Sequence, residues 1–264
     1  MPPVELVYPP VVGLARTAFR ALDLQITIAG AGNVPRTGAA VLASNHISYL
    51  DFIFCGLAAR PSGRRVRFMA KHEVFTHPVS GPLMKGMHHI PVDREAGVGS
   101  FDAAIEALRR GETVGIFPEA TISSSFTVKP IKSGAVRLAL RADAPLLPVA
   151  IWGTQRLYTK HLPRDLTTRH RPISIAVGAP VPVNDDNNAA EATAKLRMRM
   201  QELLDDAQRA HPDQPVPGED APWHPVHLGG TAPTPEAALE LDRAERAARA
   251  ARLRSSAAHA PRRR

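Results

Sequence analysis

Short apolar runs rich in β-branched residues recur along this chain, and segments with helical spacing lie between them. The runs are LQITIAG, AAVLAS, RVRFMA, TVGIF, PLLPVAIWG and PISIAVG, beginning at residues 24, 39, 65, 113, 145 and 172. Between them, SFDAAIEALRRG and SGAVRLALRA place apolar residues three and four apart, as one buried helical face requires. Strands joined through helices pair in parallel, because a helical crossover returns the chain to the edge from which it started. The pattern predicts an α/β fold: a mostly parallel central sheet flanked by helices. With 264 residues, 44% of them hydrophobic, the chain can bury one sizeable core.

The ends read differently from the middle. YPPVVGLARTAFRALDL sets Val11, Val12, Ala15, Phe19 and Leu22 near one helical face, away from Arg16 and Arg20. That face can pack on the core or lie in a membrane interface. From Pro212 the texture turns to Pro and Gly, then to an Ala/Arg/Glu helix from about Pro235 to Arg254. The expected organisation is an N-terminal amphipathic segment, 1–24, a domain over 25–211, and a linker with a loosely attached Pro/Ala/Arg-rich tail, 212–264. Ser100 with Gly111, and Asp185 or Asn188, read as signals for helix ends.

The net charge of +8 favours anionic partners, and because the tail holds eight Arg against seven acids, nearly all of the excess lies before it. The single Cys55 leaves no intramolecular disulfide and no cysteine-based zinc site. No apolar run is long enough to cross a bilayer, and the N-terminus lacks a signal-peptide pattern, so a cytoplasmic, non-spanning protein is expected. The basic run RPSGRRVR lacks interleaved aromatics, which argues against nucleic acid; it reads either as a docking patch for acidic partners or as a solvated loop.

SNHISYLDF, residues 44–52, follows the apolar run AAVLA. Ser48-x-x-Asp51 matches a capping box, which would place Asp51 in the first turn of the helix YLDFIFCGLAA. Capping gives His46 no task, and His46 falls at the end of an expected strand, where α/β folds hold their working residues. Residues five apart on one helix point about 140° apart. His46 and Asp51 can therefore meet only across a bend, where the carboxylate would hold one imidazole nitrogen and leave the other as a base.

Three further segments accompany this one: MAKHEVFTHPVSGPLMKGMHHIPVDRE, GIFPEATISSSF and APLLPVAIWGT. Together the four resemble, over about Ile26 to Val183, the 1-acylglycerol-3-phosphate O-acyltransferase family of the glycerolipid acyltransferase superfamily. The resemblance implies that His46 takes the proton from a glycerol hydroxyl attacking an acyl thioester, with Asp51 orienting it. Lys71, Glu73, Pro78, Gly81, Gly86, Asp93 and Arg94 match the family's second motif, whose cations bind phosphate. In FPEATIS, Phe117, Pro118, Glu119 and Thr121 match the third motif, whereas Ala120 stands for its glycine and Ile122 for its arginine. Lys129 or Lys132 could replace that cation. Pro148 and Val149 match a fourth motif that supports the core.

The function implied is transfer of a fatty acyl group from acyl-CoA or acyl carrier protein to lysophosphatidate, giving phosphatidate in phospholipid biosynthesis. His46 and Asp51 would be catalytic, and Lys71, Arg94, Glu119 and Thr121 would bind the acceptor, without metal or cofactor. The partners would be the lysophospholipid, the acyl donor and an anionic membrane surface on the inner face of the cell membrane. Cys55 is expected in the core. Competing expectations are another lysolipid or glycolipid acceptor, a non-catalytic module that binds membrane or acyl carrier, a condensation-type site with His89 as base, and zinc bound by His72, His77, His88 and His89.

Overall fold

The computed structural model describes residues 6–92, 98–183 and 189–258. They fall into two units, Met1–Ile122 with Val128–Gln214, and Ser123–Thr127 with Pro215–Arg264.

The first unit is built on seven strands: β1 (Gln25–Ala29), β2 (Ala40–Ser44), β3 (Val66–Lys71), β4 (Ile90–Val92), β5 (Thr113–Ile116), β6 (Leu146–Trp152) and β7 (Pro172–Val177). Their order across the sheet is β1-β7-β6-β2-β5-β3-β4. Neighbours run parallel except β6 and β7. Burial follows position. Central β2 and β6 are buried along their whole length and read as unbroken apolar runs, while edge strand β1 alternates along QITIA. β4 lies on the other edge, where Pro91 is tolerated despite lacking an N–H.

The helices of this unit are α1 (Tyr8–Ala21), α2 (Asp51–Ala58), α3 (His72–Thr76), α4 (Ser80–Gly86), α5 (Val98–Arg109), α6 (Gly134–Ala142) and α7 (Ala189–Arg209). α2 carries the chain from β2 past β5 to β3, and α6 carries it from β5 past β2 to β6. Right-handed crossovers that travel in opposite directions lie on opposite faces of the sheet. On one face Phe54, Cys55 and Ala58 of α2 pack against Leu42, Leu147, Val149 and Ile151, with Phe19 of α1 stacked on Phe54 at 4.9 Å. On the other, α6 buries Val136 and Ala139, and α7 buries Leu196, Met200 and Leu204, spaced one helical turn apart.

α1 therefore packs, through Tyr8 and Phe19, although Leu14 remains 73% exposed. α5 begins at Val98 rather than at Ser100, and its C-terminal signal, Gly111, adopts φ +79. Asp185 and Asn188 lie outside the described residues.

RPSGRRVR is more than a solvated loop, because two of its arginines have structural partners. Arg64 donates to the carbonyls of Pro35, Gly38 and Gly111, and Arg67 is buried in an ion pair with Glu112. Only Arg60 and Arg65 of its four arginines are exposed, because the other two are spent holding loops and strands together. No helix among the described residues is long and apolar enough to cross a membrane.

In the second unit a turn closes on itself, with Ala221 and Thr231 exchanging hydrogen bonds and Ala232 N donating to His224 O. It leads into α8 (Pro235–Ala258).

Candidate active site

The crossovers leaving β2 and β5 part to opposite faces of the sheet, so a crevice opens between the C-terminal ends of these two neighbours. His46 lies two residues beyond β2, and Glu119 three residues beyond β5.

Between His46 and α2 the chain turns sharply. His46 Nδ1 lies 3.0 Å from Asp51 Oδ2, and the N–H groups of Ile47 and Ser48 donate to the same oxygen at 2.7 Å each. The fourth donor is Thr154 Oγ1, 2.7 Å from Asp51 Oδ1. The expected capping box is replaced by a turn: Asp51 reaches back to Ser48 N, and Ser48 Oγ accepts from Leu50 N, while Leu50 is the N-cap and carries no side-chain cap. The regular helix starts at Asp51 itself. Asp51 thus opens α2, ties the turn before it and grips His46.

That carboxylate selects the imidazole tautomer. Backbone N–H groups can only donate, so Asp51 is the acceptor throughout and Nδ1 carries the proton. Nε2 keeps its lone pair. The Asp51 side chain is fully buried while that of His46 is 21% exposed, so the base is held from within and open to a substrate. Phe117 stacks on the His46 ring at 4.4 Å and 26°, which limits its rotation.

Glu119 braces this loop from below. Its Oε1 accepts from His46 N at 2.8 Å, and its Oε2 from Lys129 N at 3.0 Å. Burial pushes its carboxyl up to about 8, against the pull of those two backbone donors and of the Lys129 ammonium. With both oxygens engaged by backbone, Glu119 joins two loops.

Thr121 is half-buried, and Lys129 donates to its Oγ1 and to Ile122 O. Lys129, itself buried, therefore brings a cation beside the position where Ile122 replaces the family's arginine, and the Ile122 side chain turns into the core. Lys132 is exposed. Lys71 ends β3, half-buried and in register with Val92 of β4. Arg94 lies outside the described residues.

Two contributors to the site, Asn45 of the first motif and Thr154 at the end of the fourth segment, have roles that no sequence expectation assigned to them. Asn45 bonds through its side chain to both backbone groups of Ile151, extending the β2–β6 pairing by one step. Thr154 comes from the turn after β6. A glycine followed by a hydroxyl residue at a strand end, WGT, was the available signal.

The competing candidates have other tasks. Cys55 is fully buried, and burial, helped by the charge of Asp51, pushes its thiol up to about 12, far from a nucleophilic thiolate. His89 cannot serve as a base for substrate: it is buried, and its Nδ1 accepts from Phe68 N at 3.1 Å. His77 Nδ1 accepts from the N–H groups of Val79 and Ser80.

A histidine held by a buried aspartate at the C-terminal edge of a parallel sheet defines the class, and the comparisons agree with it. Residues 25–152, from β1 through β6, match the family model described as Acyltransferase. The 1-acyl-sn-glycerol-3-phosphate acyltransferase of Bacillus subtilis (strain 168) is 38% identical over 122 residues, 46% of this chain and 59% of that protein. The enzyme of the same name from Limnanthes alba is 34% identical over 152 residues, 56% of this chain and 51% of its own. This chain thus spans little more than half the length of the curated relatives it matches. The crystal structure of the 1-acyl-sn-glycerophosphate (LPA) acyltransferase PlsC from Thermotoga maritima shares the fold, with a TM-score of 0.65 at 23% identity over 78% of this chain and 81% of that one.

Proposed function

We propose that this chain is an O-acyltransferase that moves a fatty acyl group from acyl-CoA or acyl carrier protein to the free hydroxyl of lysophosphatidate, giving phosphatidate. The observation that carries it is the His46–Asp51 pair, with Nδ1 on a buried carboxylate and the His46 side chain partly exposed. The names of the relatives supply the substrate class.

In this reaction the acceptor hydroxyl oxygen attacks the thioester carbonyl as its proton passes to His46 Nε2. Asp51 stabilises the imidazolium that forms. The tetrahedral intermediate collapses, the carbon–sulfur bond breaks, and the thiolate takes the proton from His46. Ester and thiol are the products, and no acyl-enzyme, metal or cofactor is called for.

Lys71 and Arg94 are proposed to hold the acceptor phosphate, the arginine through its planar pair of donors and the lysine as a point charge. Glu119 acts by bracing the His46 loop, and Thr121 by placing Lys129. A second acceptor class, another lysolipid or glycolipid, is favoured by one observation, the apolar burial of Ile122 where the family has a cation. The excess positive charge would draw the protein to an anionic membrane surface, where such acceptors reside.

The test is thiol release from acyl-CoA, and separately from acyl carrier protein, with and without lysophosphatidate, in wild type and His46→Ala. Acceptor-dependent release that falls about 10²- to 10⁴-fold in the variant is expected, the range for losing a general base. Release that needs a different lysolipid would move the acceptor while keeping the mechanism. Silence with every donor and acceptor would leave a binding module.

A further inference from the structure

We infer that Thr154 is a positioning residue for acyl transfer, setting His46 through Asp51; this rests on the reaction proposed above. Asp51 has two oxygens with unequal company. Oδ2 takes His46 Nδ1 and two backbone N–H groups, all from its own motif, whereas among the described residues Oδ1 takes its bond from Thr154, 103 positions away. Both oxygens are sealed from solvent. If Oδ1 loses that donor, water cannot replace it, and the carboxylate turns to share its other donors. The bond to Nδ1 then lengthens, and Nε2 leaves its aim.

The hydroxyl is delivered by a turn built for the purpose. β6 ends at Trp152, and Gly153 adopts φ +96, where an added Cβ would lie 2.3 Å from Pro172 O. Thr154 O accepts from the N–H groups of Leu157 and Tyr158, closing the turn. The same turn clasps the other side of the motif: Tyr158 O accepts from Ser48 Oγ and Tyr49 N, and Thr159 Oγ1 donates to Ile47 O. These contacts do not involve the Thr154 hydroxyl. Removing it leaves the clasp in place and isolates the bond to Asp51.

The experiment compares Thr154→Val, which keeps the shape and loses the donor, with Thr154→Ser, which keeps the donor. Two readouts are taken: steady-state kinetics with acyl thioester and lysophosphatidate, and the NMR resonance of the His46 Nδ1 proton. In Thr154→Val we expect kcat about 10- to 100-fold lower, the scale for losing an outer hydrogen bond to a working group. KM for either substrate should hold, and the Nδ1 proton should shift. Thr154→Ser should restore both. Wild-type kcat with an unmoved resonance in Thr154→Val would overturn the inference, as would a loss that follows a lowered melting temperature and is not restored by Ser. Thr154→Ala carries the same test if the valine variant is insoluble. Wild-type protein silent toward every acceptor would overturn the acyl-transfer reading instead, and the resonance would still decide whether Thr154 sets the pair.

Discussion

Ala120 adopts φ +64, in the left-handed region that costs a residue with a Cβ about 1–2 kcal/mol. Its N–H closes the turn by donating to Phe117 O at 3.0 Å, and that turn brings the Glu119 carboxylate up to His46 N. Ala120→Gly should therefore stabilise the protein by about 0.5–1 kcal/mol once the added freedom of the unfolded glycine is set against the relieved strain. Urea unfolding checks this, and a midpoint that does not rise would show that the turn carries no strain at Ala120. His46, Asp51 and Glu119 were legible because each sits in a run of matched neighbours. The roles of Thr154 and Asn45 were not, although both stand in quoted segments: each reaches its partner across more than 100 positions, and no local spacing names so distant a partner.

At the scale of elements, six of the seven strands stand where apolar β-branched runs predict them, because a buried strand needs such a run and little else. β4 escaped, being three residues with a proline in the middle, and so did the short α3 and α4 around it. The reversal between β6 and β7 was invisible, since a period of two carries no direction. The β4 edge also holds the clearest pH dependence. His89, just before β4, accepts from Phe68 N of β3, and burial, then the charges of Arg67 and His88, lower its pKa from 6.5 to about 4. Between those values the unfolded chain binds a proton that the folded chain refuses, so the contribution of His89 to stability falls as pH drops through this window, while that of Glu119 changes in the opposite sense. The expected loss of the His89 contribution from pH 7 to pH 4 is about 3 kcal/mol. His89→Asn keeps an acceptor for Phe68 N without titrating, and urea unfolding at both pH values should show that much less acid sensitivity in the variant. Equal losses in the two proteins would place the acid sensitivity elsewhere.

For the molecule as a whole, composition predicts a linker and loose tail after Pro212, and Pro215–Arg264 form one unit with the internal segment Ser123–Thr127. That segment directly follows Thr121 and Ile122 of the third motif. Within it Ser123 Oγ donates to Thr127 O at 2.8 Å, and Ser125 Oγ lies 2.8 Å from Thr127 Oγ1. Phe126 is 2% exposed, and its backbone holds φ +56, a conformation kept only where surroundings enforce it. Those surroundings include the rest of its unit. A chain ending at Gln214 lacks most of that unit, so Phe126, whose burial is worth about 1.5–3 kcal/mol, should lose part of its cover. The expected result is a lower melting temperature than the full chain shows, read by thermal unfolding. A truncated protein that melts like the full chain would mean that the segment holds its shape without residues 215–264.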